Sequence, residues 1–129
     1  MTYQVGSSTT QRGVTVALTR ILVSPGDPAE LVLGVANGVR RPRGLDLTFD
    51  PEHVVVRQAG RRISSSGGAG FTLTNGASTQ DLIVQLQGFR PDLPYTVTAD
   101  VRADVDAKYV PVGWRRPLRF SWQFSAAAG

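Results

Sequence analysis

The stretch Tyr95-Thr96-Val97-Thr98-Ala99-Asp100-Val101-Arg102-Ala103-Asp104-Val105-Asp106-Ala107-Lys108-Tyr109 alternates without a break. Tyr95, Val97, Ala99, Val101, Ala103, Val105, Ala107 and Tyr109 fall on one side, and polar or charged residues fall on the other. A two-residue period places successive side chains on opposite faces of an extended chain, so this is a half-buried β-strand. At ~3.3 Å per residue it would reach about 50 Å, more than a sandwich strand needs. A bend near Asp104 to Ala107, or a projecting end, is therefore expected.

Working outward, Pro111, Gly113 and Pro117 break the run, and then Leu118, Phe120, Trp122 and Phe124 alternate with Arg119, Ser121 and Gln123. Trp122, in phase with its apolar neighbours, reads as core. Upstream, Leu82, Val84 and Leu86 alternate with Gln85 and Gln87, and Phe71 and Leu73 form a short strand closed by Asn75-Gly76. Ser64 to Gly70 is a Ser/Gly stretch expected to form a mobile loop. Leu45, Leu47 and Phe49 share a face before the Asp50-Pro51-Glu52 turn, and Val54 to Val56 follows. Glu30 to Ala36 is nearly continuous in apolar residues, which suits a central strand covered on both faces. Val14, Val16 and Leu18 mark the first strand, with a turn at Ser24-Pro25-Gly26-Asp27-Pro28.

About eight short strands separated by turn clusters, with no sustained helical period, predict an all-β, antiparallel sandwich of the immunoglobulin-like or jelly-roll kind. The sandwich is expected over 13–125. Residues 1–12, rich in Ser, Thr and Gln, read as a flexible N-terminal arm, and 126–129 as a small-residue tail.

With 129 residues, 41% of them hydrophobic and 19% charged, the chain has the makings of one domain with its own core. It has no cysteine, which excludes disulfides, zinc–thiolate and iron–sulfur sites and a cysteine nucleophile. Fourteen basic residues against ten acidic ones give a net charge of +4, and Lys108 is the one lysine. The first twenty residues lack the apolar run of an export signal, and no apolar segment approaches the ~20 residues of a membrane helix.

His53 is the single histidine, and no Gly-x-Ser-x-Gly elbow or phosphate-binding glycine loop is present. His53 reads as a strand-entry residue after Asp-Pro-Glu. Asp100, Asp104 and Asp106 share a strand face, but Arg102 and Lys108 interleave with them as counter-ions, so a solvated face is expected in place of a calcium site. The chain is accordingly expected to be non-catalytic, with no cofactor and no metal.

Contacts with partners are expected from arginines. They cluster as Arg40, Arg41 and Arg43 in one loop, Arg57, Arg61 and Arg62 in a second region, and Arg115, Arg116 and Arg119 near the last strand. Trp114, just before Arg115 and Arg116, is either an interface anchor or a cover over one end of the sandwich. Arg40, Arg41, Arg43, Trp114, Arg115 and Arg116 are thus the candidate partner-binding residues. Guanidinium groups suit carboxylates on a protein partner. A phosphate backbone is disfavoured, because Trp114 is the one aromatic placed to stack a base.

The run Gly44-Leu45-Asp46-Leu47-Thr48-Phe49-Asp50-Pro51-Glu52-His53-Val54-Val55-Val56 resembles the strand–turn–strand of cohesin-like and related bacterial immunoglobulin-like modules. Ser24-Pro25-Gly26-Asp27-Pro28 is similar to their opening turn. This resemblance covers the first half of the chain and implies the fold without transferring a binding site. Lacking cysteine and a signal, the chain also looks like the small accessory proteins of tailed phages. That likeness implies a structural protein, made in the host cytoplasm, that decorates a capsid or tail lattice in the virion and forms homo-oligomers. The alternative is a module of a bacterial cell surface or adhesion system that binds protein or glycan.

Overall fold

The computed structural model describes residues 2–39, 45–65, 68–74, 76–90, 96–107 and 116–125. They form two antiparallel sheets packed as a sandwich, and the one helical element among them is a 3-10 turn, Pro51–His53. The first sheet has four strands in the order β1 (Thr2–Gln11), β2 (Val14–Leu22), β3 (Ala29–Asn37) and β8 (Ala77–Leu86). The second has six: β4 (Leu45–Phe49), β5 (Val54–Gln58), β6 (Arg61–Arg62), β7 (Phe71–Leu73), β9 (Thr96–Ala107) and β10 (Leu118–Ser125).

β9 organises the second sheet. It pairs with β10 along its first eight residues, with β5 over Val97 to Val101, and with β4 over Asp104 to Ala107. The strand read from its alternation is therefore real over Thr96–Ala107, and its pairings with β5 and β10 give way to one with β4 at Asp104, where a bend was expected. Its inward residues Val97, Ala99, Val101 and Ala103 are buried. Ala99 stands in register between Val56 and Trp122, so a small side chain on the shared strand leaves room for a large one beside it. Trp122 stacks on Phe120, with ring centroids 6.0 Å apart, and its indole N–H finds no acceptor.

The facing sheet supplies Val14, Val16 and Leu18 from β2, Leu31, Leu33 and Val35 from β3, and Leu82, Val84 and Leu86 from β8. β3 is central, as its apolar run required. On its outer face Val32 is still buried, in register between Arg20 and Ile83. Ile83 is the one large hydrophobic residue exposed among those described.

Two expectations are corrected. The segment 1–12 is not a free arm over its described part, because Thr2–Gln11 is a full strand paired with β2. It turns into β2 through Arg12 and Gly13, whose φ values of 52° and 83° make a two-residue hairpin of the kind that matches strand twist. Ala59 and Gly60, at 53° and 76°, make the same turn between β5 and β6. These two hairpins raise the strand count from eight to ten. The Ser/Gly stretch, in turn, begins as a seam between the sheets. Ile63 N–H donates to the Val56 carbonyl at 2.8 Å, and Ser65 N–H donates to the Gln85 carbonyl at 3.0 Å. Ser64, buried, accepts the Val56 N–H on its hydroxyl at 3.0 Å and bridges to Leu86. The tail 126–129 lies outside the described residues.

Two side-chain amides add further ties. Gln58 clamps Arg90, accepting its N–H and donating to its carbonyl, both at 2.9 Å. Asn37, fully buried, donates to the Leu73 carbonyl and accepts the Val39 N–H, both at 3.2 Å. Asn37→Ala strands both partners away from water, so we expect a stability loss of about 2 kcal/mol or more in urea unfolding. Ala59→Asn should act oppositely, because asparagine tolerates the left-handed conformation that alanine resists. A gain of about 0.5–1 kcal/mol is expected by the same measurement.

Candidate functional site

The face of the second sheet turned away from the core is built by the same alternation that builds the core. It presents Arg57 and Val55 on β5, Thr98, Asp100, Arg102 and Asp104 on β9, and Arg119, Ser121 and Gln123 on β10. Register then decides which of these are neighbours. Arg57 lies directly opposite Arg62, and Arg102 directly opposite Arg119. Like charges opposed across a strand pair are destabilising by a few tenths to about 1 kcal/mol. Two such pairs on one sheet face are a local conflict with stability.

The conflict is only partly relieved. Arg102 Nε lies 3.1 Å from one oxygen of Asp104, whose other oxygen lies 3.3 Å from His53 Nδ1. Neither contact has hydrogen-bonding geometry, so Asp104 stands beside both nitrogen groups as a carboxylate and not as their hydrogen-bond acceptor. Arg62 Nε donates to the Ser64 hydroxyl at 3.3 Å. No described carboxylate is within ion-pair distance of Arg57, Arg62 or Arg119. A shallow groove of about 360 Å³ runs between these groups, lined by Glu52, His53, Arg57, Arg102, Arg119 and Ser121 among others.

His53 reaches the groove through its turn. Asp50 accepts the Glu52 N–H on its side chain at 2.9 Å, and Pro51 starts the turn with its φ already set. The His53 N–H closes on the Asp50 carbonyl at 2.9 Å, which delivers the imidazole beside Asp104 at the entry to β5. The hydroxyl of Ser121 donates to Asp100 at 2.6 Å and not to His53, so the serine and the imidazole belong to separate hydrogen-bonded groups. Asp100 and Asp104 are four residues apart on one strand, about 13 Å, and each is engaged locally. Among the described residues no group of three carboxylate or imidazole ligands converges.

Of the candidate contact residues, Arg116 is exposed just before β10, whereas Arg40, Arg41, Arg43, Trp114 and Arg115 lie outside the described residues. The second and third arginine groups do meet, since Arg57 and Arg119 line one groove. Arg102 and His53 join them there, although neither stood out as a contact residue in the sequence. No family model matches this chain, and neither the curated proteins nor the solved structures give a match.

The ion-paired cluster has a measurable signature. Asp104→Asn keeps the shape and removes the carboxylate charge that lies beside Arg102 and His53. With both partners partly exposed, we expect a loss of about 0.5–1 kcal/mol at low ionic strength that shrinks at ~1 M salt. Equal stability of the two proteins at low salt would show that Asp104 does not hold this face together.

Proposed function

We propose that this chain is a non-catalytic structural module that docks on a protein partner with exposed carboxylates, through the outer face of its six-stranded sheet. The observation that carries this reading is the register that sets Arg57 against Arg62 and Arg102 against Arg119, while no acid among the described residues pairs with Arg57, Arg62 or Arg119. Stability given up at a surface is intelligible when the surface has a task. A guanidinium offers a planar fork that takes a carboxylate in two parallel hydrogen bonds, and it sheds water more readily than an ammonium. Arginines held on strands are also already spaced, so little ordering is left for the moment of contact.

Two features favour a protein partner over a phosphate polymer. Asp100, Asp104 and Glu52 are interspersed with the arginines and would repel a uniformly anionic backbone. The aromatic side chains of Phe120 and Trp122 point into the core, where they offer no base a stacking surface. The setting implied by the resemblance to phage accessory proteins is a virion lattice, on which such a module would be one of many copies.

Binding of a fluorescent peptide whose glutamates are spaced by uncharged residues, and of a single-stranded oligonucleotide of similar net charge, tests the reading. The wild type should bind the peptide at low salt, and Arg57→Ser with Arg119→Ser should weaken it at least ~10-fold, about 1.4 kcal/mol. Equal peptide binding by both proteins overturns the proposal. Preference for the oligonucleotide, with a steep salt slope, would replace the protein partner with a nucleic acid.

A further inference from the structure

The geometry points to a second interaction surface, unrelated to the arginine face: the outer edge of β1, on which we propose that a second copy of this chain adds its own β1 about a two-fold axis. β1 is an edge strand, and among the described residues nothing pairs with its outer side. A row of unpaired N–H and C=O groups is a template for another strand, so proteins usually blunt such edges with charges, prolines, shortness or a cover. The other edges show these devices. β6 is two residues long and both are arginine, and β7 has three residues. β8, at the far edge of the same sheet, carries Asp81 and is bridged by Ser64 at Leu86. On β10 Arg119 is exposed, and its carbonyl takes a hydrogen bond from the Gln11 side chain at 2.8 Å.

β1 has none of the charge or proline devices. Thr2–Gln11 contains no charged residue and no proline. One irregularity, a shift in register between Gln4 and Ser7 at Gly6, separates a first short piece from a regular run. From Ser7 to Gln11 the strand pairs with β2 residue by residue, Ser7 with Leu18 through Gln11 with Val14. That run keeps an unbroken register that can extend the ladder, and the exposed hydroxyl residues Ser8 and Thr10 make favourable cross-strand neighbours.

The occupant follows from charge and symmetry. Each chain carries a net +4, so two copies repel through most of their surfaces, but along β1 no ionised side chain opposes their approach. An acidic partner would find no cation there. An antiparallel strand about a two-fold axis is complementary to itself, so a second copy needs no recognition chemistry beyond what β1 already has. The contact is short, which places it among weak interfaces and makes it concentration-dependent.

Sedimentation equilibrium from about 1 μM to about 1 mM tests the proposal. The wild type should pass from 13.8 kDa towards twice that mass. Ser8→Lys with Thr10→Lys should weaken dimerisation at least ~10-fold, with an unchanged circular dichroism spectrum. The Arg57→Ser, Arg119→Ser protein should dimerise like the wild type, which separates this edge from the docking face. Amide exchange over Ser7 to Gln11 should slow as the mass doubles. A wild type that stays at 13.8 kDa, a dimer indifferent to the lysines, or a doubling without protection of β1 would each overturn the proposal.

Discussion

Three strands of the second sheet take their positions from β9, and its strict alternation is the constraint on which the rest depends. Each step along it sends one side chain into the sandwich and the next to the opposite surface. Val97, Ala99, Val101 and Ala103 therefore define where Phe120, Trp122, Val54 and Val56 can pack, while Asp100 and Arg102 line the outer groove. A one-residue slip against β10 would bury charges and expose the core row together. Core and candidate site are thus two readings of a single register, and neither can be remodelled without the other.

Where the amino-acid pattern was informative, it was so for a physical reason. The strands that bury one face, β9 and β10, announce themselves through apolar residues at every second position, and β3 does so by being apolar on both faces. β1 is invisible to that criterion. Over its regular run the residues on the inward side are Ser7, Thr9 and Gln11, at the margin of the sandwich where little apolar area is buried. The two hairpins were hidden too, because Arg12-Gly13 and Ala59-Gly60 lack the Asn-Gly or Asp-Gly pair that usually marks such a turn. Glycine alone supplies one of the two left-handed positions, and the strand ladder enforces the other.

The candidate site was legible as composition and not as geometry. That Arg57, Arg61 and Arg62 form one group and Arg115, Arg116 and Arg119 another is plain from spacing. That Arg102 faces Arg119, or that His53 shares Asp104 with Arg102, depends on which strands neighbour one another and in what register. Arg102 read naturally as a counter-ion for the aspartates on its own strand, and it is one for Asp104. Its opposition to Arg119 comes from a residue seventeen positions away in sequence.

The sandwich is bound unequally along its two sides. On the β8 side, Ile63, Ser64 and Ser65 bond to both sheets and Gln58 clamps Arg90; on the β1 side, among the described residues, Gln11 donates to the Arg119 carbonyl. The molecule is built like a book, with a stitched spine and a loosely fastened fore-edge. Thermal breathing at low free energy should then part the leaves at the fore-edge first. Trp122 stands on β10 along that side with an indole N–H that has no acceptor in the closed form. A water molecule slipping in there would satisfy a donor that the dry interior leaves unmet, so the cost of admitting it is lower than at any fully satisfied part of the core. Among the described residues, the fore-edge is thus where admitting water meets the least resistance.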